Sequence, residues 1–179
     1  MRKLQNEELQ RPSLKEYKST AKLPLVVVLD NIRSQNNTGS VFRTSDAFLV
    51  EKLCLCGFTG TPPHREIQKT ALGATDSVVW EYYSDTSACL TKLRNEGYTL
   101  YAIEQADESI DLKDFNVQRD DKIAIIFGNE VNGVASEVVQ QCDGCIELAQ
   151  YGTKHSLNIA VCAGIVIYDL FHKMTPYRQ

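Results

Sequence analysis

The chain has 179 residues, a formal net charge of −4 and 43% hydrophobic residues, which suits a single domain with its own core and no disulfide framework. Its acidic balance, with a pI of ≈ 5.4, argues against holding nucleic acid by bulk charge alone, though not against a local basic surface. No apolar run reaches the ~18 residues of a membrane span and the start, MRKLQNEELQ, has no apolar signal core, so the expectation is a cytoplasmic protein with reduced thiols.

Residues 1–23 read as a short N-terminal extension, helical over 6–18, with cations at Arg2, Lys3, Arg11, Lys15, Lys18 and Lys22. A domain is expected over 24–172 and a tail over 173–179. PLVVVLD (24–30) is a short buried strand bounded by Pro24 and Asp30. Apolar residues at helical spacing follow, from Val41 to Phe48. KLCLCGF (52–58) is the next strand. HREIQKTALGA (64–74) reads as a short helix ended by Gly73. SVVWEYY (77–83) is a strand, and Asp85 or Thr86 can cap the helix that stops at Gly97. YTLYAIEQ (98–105) is a strand, followed by a polar loop. KIAIIFG (122–128) is the most strand-like run in the chain. Residues 135–141 are helical, CIELA (145–149) is a strand, and 156–171 form a long apolar helix.

Strand and helix alternate about six times. The class is therefore α/β, with a mostly parallel sheet and flanking helices. Ligands bind such sheets beyond the carboxyl ends of the strands, which directs attention to three loops. DNIRSQNNTGSVFRT (30–44) offers Asn37 as a helix cap, Gly39 for close approach of another backbone, and Arg43 in the helix. Alone it also reads as a capped helix with a solvated arginine. IIFGNEVNGVASEVV (125–139) has Gly128 and Gly133 near a strand end, suited to a ligand pressed against bare backbone. ELAQYGTKHSLNIAV (147–161) has Gly152 in a turn and Ser156 as the cap of the last helix. A helix start carries free N–H donors. Neither a dinucleotide-binding G-x-G-x-x-G nor a P-loop occurs in the chain.

Cys54-x-Cys56 and Cys142-x-x-Cys145 can be drawn as two halves of a zinc site. The halves lie nearly ninety residues apart, and the first sits in an alternating strand where cysteine acts as a small hydrophobe. No metal is expected, and His64, His155 and His172 are too scattered to add ligands.

Taken together, the three loops resemble the motifs of the SpoU (TrmH) family of RNA ribose 2′-O-methyltransferases, in the SPOUT superfamily. The first motif has Asn and, six residues on, Arg followed by Thr or Ser, here Asn37, Arg43 and Thr44. The second is a strand followed by Gly-x-Glu-x-x-Gly, here Gly128, Glu130 and Gly133. The third ends Gly-x-x-x-Ser-Leu-Asn, here Gly152, Ser156, Leu157 and Asn158. KTALGA (69–74) also looks like a family segment. One departure is Leu148-Ala149-Gln150, where the family often has Ile-Pro-Met.

The resemblance implies a deep C-terminal trefoil knot and S-adenosyl-L-methionine as cofactor. Ile103, Glu104, Gly128, Leu148, Gly152, Ser156 and Leu157 would meet the cofactor. Arg43 would be the catalytic residue, with Asn37, Glu130, Ser156 and Asn158 organising it and the ribose. The resemblance also implies a homodimer whose last helix packs both core and interface. Its substrate would be RNA, not DNA, and no membrane is involved. Because an arginine side chain has a pKa above ~12, Arg43 is read mainly as a fork for phosphate and a stabiliser of developing alkoxide, with a base role as the alternative. The short extension with its cations and the brief tail, in which Tyr177 and Arg178 could touch phosphates along with Arg2, Lys3 and Arg11, tilt the substrate to tRNA over rRNA, with a D-loop guanosine as candidate. Two other readings stand beside this one. The first is a non-catalytic RNA-binding factor that keeps the knot. The second is a flavodoxin-like or nucleotide-binding α/β protein.

Overall fold

The computed structural model describes residues 1–175. The extension does not form one helix over 6–18. A 3-10 turn at Asn6–Leu9 is followed by a separate helix α1, Leu14–Ser19. Pro12 stands between them, and Ser13 with Glu16 forms a capping box that restarts the helix. Tyr17 of α1 is buried, so the extension is docked on the domain.

The strands are β1 Leu23–Asp30, β2 Val50–Cys56, β3 Val79–Tyr83, β4 Thr99–Ile103, β5 Ile110–Asp111, β6 Ile123–Phe127 and β7 Gly144–Glu147. They form one sheet in the order β3-β2-β1-β6-β4-β7-β5. Every pairing is parallel. All carboxyl ends therefore share one edge. Pro24, which cannot donate to a ladder, sits where the β1–β2 register shifts between Leu23 and Val26.

The near-continuous apolar runs of β1 and β6 are explained by burial on both faces. Leu25, Val27 and Leu29 point into one layer with helix α2 (Gln35–Ala47), helix α3 (Arg65–Ala71) and helix α7 (Ile159–Met174). Val26 and Val28 point into the other, with Cys54, Cys56 and the Cys89, Leu90 and Leu93 of helix α5 (Thr86–Asn95). Two short helices complete the set: α4 (Ala74–Ser77) and α6 (Ser136–Val139).

Most elements differ from expectation by a residue or two at their ends, and Ser77, expected to open β3, closes α4 instead; three differences are larger or bear on the site. The helix expected over 64–74 ends at Leu72, which adopts φ 50, and Gly73 instead opens α4. The polar loop after β4 contains β5, two residues long, on the sheet edge. The last helix begins at Ile159, not at 156. Among the described residues, no helix is long and apolar enough to cross a membrane. Tyr177 and Arg178 lie outside the described residues.

Candidate active site

The loops after β1 and β6 meet through one carboxylate. Glu130 Oε1 accepts from Asn37 Nδ2 at 2.9 Å and from the Ser34 N–H at 3.1 Å. Glu130 Oε2 accepts from the Arg33 N–H at 3.1 Å. Those N–H groups precede α2, where a helix leaves donors unpaired and favours negative charge. Asn37 is not the cap of this helix. Ser34 is, its Oγ accepting from the Asn37 N–H at 3.3 Å. Freed from capping, the Asn37 amide bridges two loops: its Oδ1 accepts from Asn158 Nδ2 at 3.2 Å. Asn158, not Ser156, is the cap of α7, its Oδ1 accepting from the Ala160 and Val161 N–H groups. Glu130, Asn37 and Asn158 thus form a hydrogen-bonded strut across all three loops.

Gly39 does allow a second backbone to approach. A Cβ there would lie 2.4 Å from the Ile67 carbonyl oxygen of α3. Gly128 lines the cleft and is also crowded by its own loop. A Cβ at Gly128 would lie 1.9–2.0 Å from backbone atoms of Gly133 and Val134. The bare backbone is needed by the loop's own fold: Asn129 and Gly133 exchange a pair of backbone hydrogen bonds at 3.0 Å. Asn129 Oδ1 caps the turn by accepting from the Val131 and Asn132 N–H groups at 2.9 Å. Glu104, at the end of β4, accepts from the Val134 N–H at 3.0 Å and packs where a Gly133 side chain would stand.

Beyond β4, β6 and β7 the second and third loops, with the end of β4, enclose a cleft of about 510 Å³, a size suited to a cofactor or small molecule. Ile103, Glu104, Gly128, Leu148, Ser156 and Leu157 line it, as do Glu130 and Asn158. Asn37, Arg43 and Gly152 do not. Gly152 is exposed, with open space around it. Arg43 lies six residues beyond Asn37, about 9 Å along the helix axis and off its face. It is exposed and makes no hydrogen bond or ion pair among the described residues. The Ser156 hydroxyl is likewise without a protein partner among them, and Ser156 lines the cleft.

Partial burial pushes the Glu130 carboxyl up, but the hydrogen bonds from Asn37 and from the Arg33 and Ser34 backbone outweigh it and hold its pKa below the ordinary value. Glu130 is therefore a carboxylate at neutral pH. Cys162 also lines the cleft, and burial, helped by the Glu104 charge, pushes its thiol up to about 11. It stands there as a neutral thiol, not a nucleophile. The cysteine pairs cannot form one metal centre: Cys54 and Cys56 lie on β2 and Cys145 on β7, four strand positions apart, about 19 Å.

Gln105, Asn129, Gln150 and His155 also line the cleft, although the sequence motifs assign none of them to the site. Gln105 Nε2 donates to the His155 carbonyl at 3.2 Å, tying the third loop to β4. Polar loop residues carry no periodicity that would have marked them.

A model of the SpoU rRNA methylase family matches residues 24–168. A curated protein of Staphylococcus aureus (strain MSSA476), assigned to the TrmH family of tRNA/rRNA methyltransferases, is 28% identical over 160 residues. The alignment covers 89% of this chain and 63% of that relative, so the chain spans less than two thirds of its length. The crystal structure of the TrmH/SpoU tRNA modifying enzyme of A. aeolicus superposes with a TM-score of 0.79 at 26% identity, covering 89% of this chain and 80% of that one. The AdoMet-bound rRNA methyltransferase of Sinorhizobium meliloti shares the fold, with a TM-score of 0.76 at 24% identity over 89% and 60% of the two chains. The family model spans the strands, the strut and the cleft alike, and the chain belongs to the SpoU rRNA methylase family.

Proposed function

We propose that this protein transfers a methyl group from S-adenosylmethionine to a ribose 2′-hydroxyl of RNA. One observation carries the reading: a cofactor-sized cleft lies directly beside a strut built from the residues of all three motifs. The cleft suits the cofactor's chemistry. Ile103, Leu148 and Leu157 offer apolar walls for an adenine ring, while exposed loop backbone and the Ser156 hydroxyl offer hydrogen bonds. When bound, S-adenosylmethionine supplies a methyl group made electrophilic by its sulfonium.

The site residues divide by whether they are already occupied. Glu130, Asn37 and Asn158 spend their polar atoms on one another and on helix starts, so they are positioning residues. Arg43 and Ser156 are unengaged and are assigned to the substrate. Arg43 binds an RNA phosphate through its fork and stabilises charge developing on the ribose oxygen. Ser156 orients the hydroxyl or the cofactor. Glu130 is not the base, since its oxygens already accept three hydrogen bonds and its pKa is held low.

Several features belong to the same reading. α7 leaves Val161, Ile165 and Tyr168 exposed at 52%, 40% and 54%. Their spacing makes one apolar stripe, and a second copy of the chain is its proposed partner. The segments after β6 and β7, leading into α7, are the proposed knot; the insertion of β7 between β4 and β5 supports it. tRNA is favoured over rRNA, because this chain spans 80% of the A. aeolicus tRNA modifying enzyme but 60% of the Sinorhizobium meliloti rRNA methyltransferase.

The test combines two measurements. Calorimetry should find about one S-adenosylmethionine site per chain. Arg43→Ala should lower methyl transfer to unmodified tRNA by roughly 100- to 1,000-fold, the scale of losing one charge-stabilising donor, while cofactor affinity stays within about twofold. Equal loss of binding and transfer would remove Arg43 from the chemistry. Absence of cofactor binding by a folded chain would leave the RNA-binding-factor reading in its place.

A further inference from the structure

The loop after β2 takes no part in the cleft, yet it stands on the same edge of the sheet. It displays Phe58, which is 61% exposed, beside Tyr82 of β3, which is 51% exposed. Such exposure on a loose loop would mean little. Here the backbone beneath it is pinned from both sides. The Gly57 N–H donates to the Tyr83 carbonyl at 2.9 Å, and Tyr82 Oη donates to the Gly57 carbonyl at 2.9 Å. The Phe58 N–H donates to Asn31 Oδ1 at 3.2 Å. Buried Thr59 donates to the Leu29 carbonyl at 3.0 Å and accepts from the Ile32 N–H at 2.9 Å. Asn31 and Ile32 lead directly into Arg33 and Ser34, which hold Glu130. The loop is therefore rigidly coupled to the strut.

Its surroundings are cationic. Arg65 opens α3 after the same loop, Lys69 lies one turn on, and Arg33 stands on the neighbouring loop, all exposed; His64, beside Arg65, caps α3 through Nδ1, which accepts from the Glu66 N–H at 3.3 Å. Arg33 and Arg65 make no side-chain hydrogen bond or ion pair among the described residues, and Lys69 has only Glu66, at 3.8 Å. A cationic cluster is notable in a chain of net charge −4. A protein partner would call for a contiguous apolar centre depleted of charge. Exposed aromatic faces among exposed cations are instead what an unstacked base and its phosphates require. β1 lies between β6 and β2, so two strand spacings, about 10 Å, separate this loop from the second motif. A neighbouring nucleotide can cover that distance.

The geometry points to Phe58, backed by Tyr82 and flanked by His64 and Arg65, as a stacking platform for an unpaired base of the RNA substrate, next to the nucleotide delivered to the Arg43 site. The inference rests on the RNA methyltransferase reading but is measured without turnover. The probe is a single-stranded RNA of about a dozen mixed nucleotides, bound to the full chain and followed by fluorescence anisotropy across a salt series. Phe58→Ala and Phe58→Leu should each weaken binding by about tenfold, the scale of one base stacked on an aromatic side chain, with no change in salt slope. Phe58→Trp should bind as the parent does. Arg65→Ala should weaken binding and reduce the salt slope by about one. Parent-like affinity in Phe58→Ala, retention in Phe58→Leu, loss in Phe58→Trp, or no RNA binding by the parent would each overturn the platform. Calorimetric titration of S-adenosylmethionine on the same preparations separates the two ideas: its failure alone sinks the methyltransferase, not the platform.

Discussion

The loop after β6 and the loop before α7 border one cleft, with the loop after β1 bracing the first of them through Glu130, but they are built differently. The loops after β1 and β6 are held by Glu130, by the paired backbone of Asn129 and Gly133, and by side-chain caps at Ser34 and Asn129. The loop before α7, residues 150–157, is exposed over nearly its whole length. Among the described residues its recorded tie is the Gln105 amide on the His155 carbonyl. Pre-organisation therefore sits on one wall of the cleft. The other wall is backbone with few protein partners, the kind that opens at low free-energy cost and is completed by what it binds.

The difference is sharpest at two motif glycines. Gly128→Ala places a Cβ within 2.0 Å of the Gly133 and Val134 backbone, which no side-chain rotation relieves. The second loop must part, and cofactor affinity should fall by about 100-fold or more, with a stability loss of roughly 2–4 kcal/mol typical of a severe core clash. Gly152→Ala meets nothing within 4 Å, and its stability should stay within about 0.5 kcal/mol. Calorimetry and urea unfolding on the two variants read both effects. Equal stability losses would erase the distinction between a built wall and an unbuilt one.

Cofactor binding should act on the unbuilt wall. At S-adenosylmethionine about 100 times its Kd, a bound state gains ~2.7 kcal/mol over any opening that releases the ligand. Amide hydrogen exchange over 150–157 should then slow by up to about 100-fold, while amides of 31–37, already held by the strut, change far less. Uniform slowing across both segments would mean that the two walls order together.

The same contrast explains what could be seen in the sequence. The central strands were legible because burial on both faces forces apolar runs such as Leu25–Leu29 and Ile123–Phe127. β5 was not, since two residues carry no period. The motif positions could be named, but their division of labour could not. Ser34, Asn36, Asn37 and Thr38 are all able caps, and only the fold shows that Ser34 takes the role and leaves Asn37 to reach Asn158. Ser156 and Asn158 pose the same ambiguity two residues apart. The strut itself joins positions 93 and 121 residues distant from Asn37, a separation that leaves no local trace. Gly128 was marked as a glycine that something approaches; that the approaching group is its own loop required coordinates.

The smallest expected effect tests whether charge holds the built wall together. Glu130 has a folded pKa below its unfolded value, which lies near ~4.3. A lowered pKa means its contribution is fully present above that unfolded value and is lost as pH falls through the folded one. In Glu130→Gln, one amide oxygen replaces two carboxylate oxygens; with that oxygen kept on the Asn37 and Ser34 donors, the new NH₂ faces the Arg33 N–H. One donor is left unpaired. At pH 7 the variant should be less stable by about 1 kcal/mol, a modest figure because Glu130 is exposed enough for solvent to screen it. As pH falls below ~4, the parent's carboxyl protonates and comes to resemble the amide, so the difference between the two proteins should shrink. Urea unfolding from pH 7 to pH 3 measures it. A gap that stays constant with pH would show that packing, and not the carboxylate's charge, joins the first loop to the second.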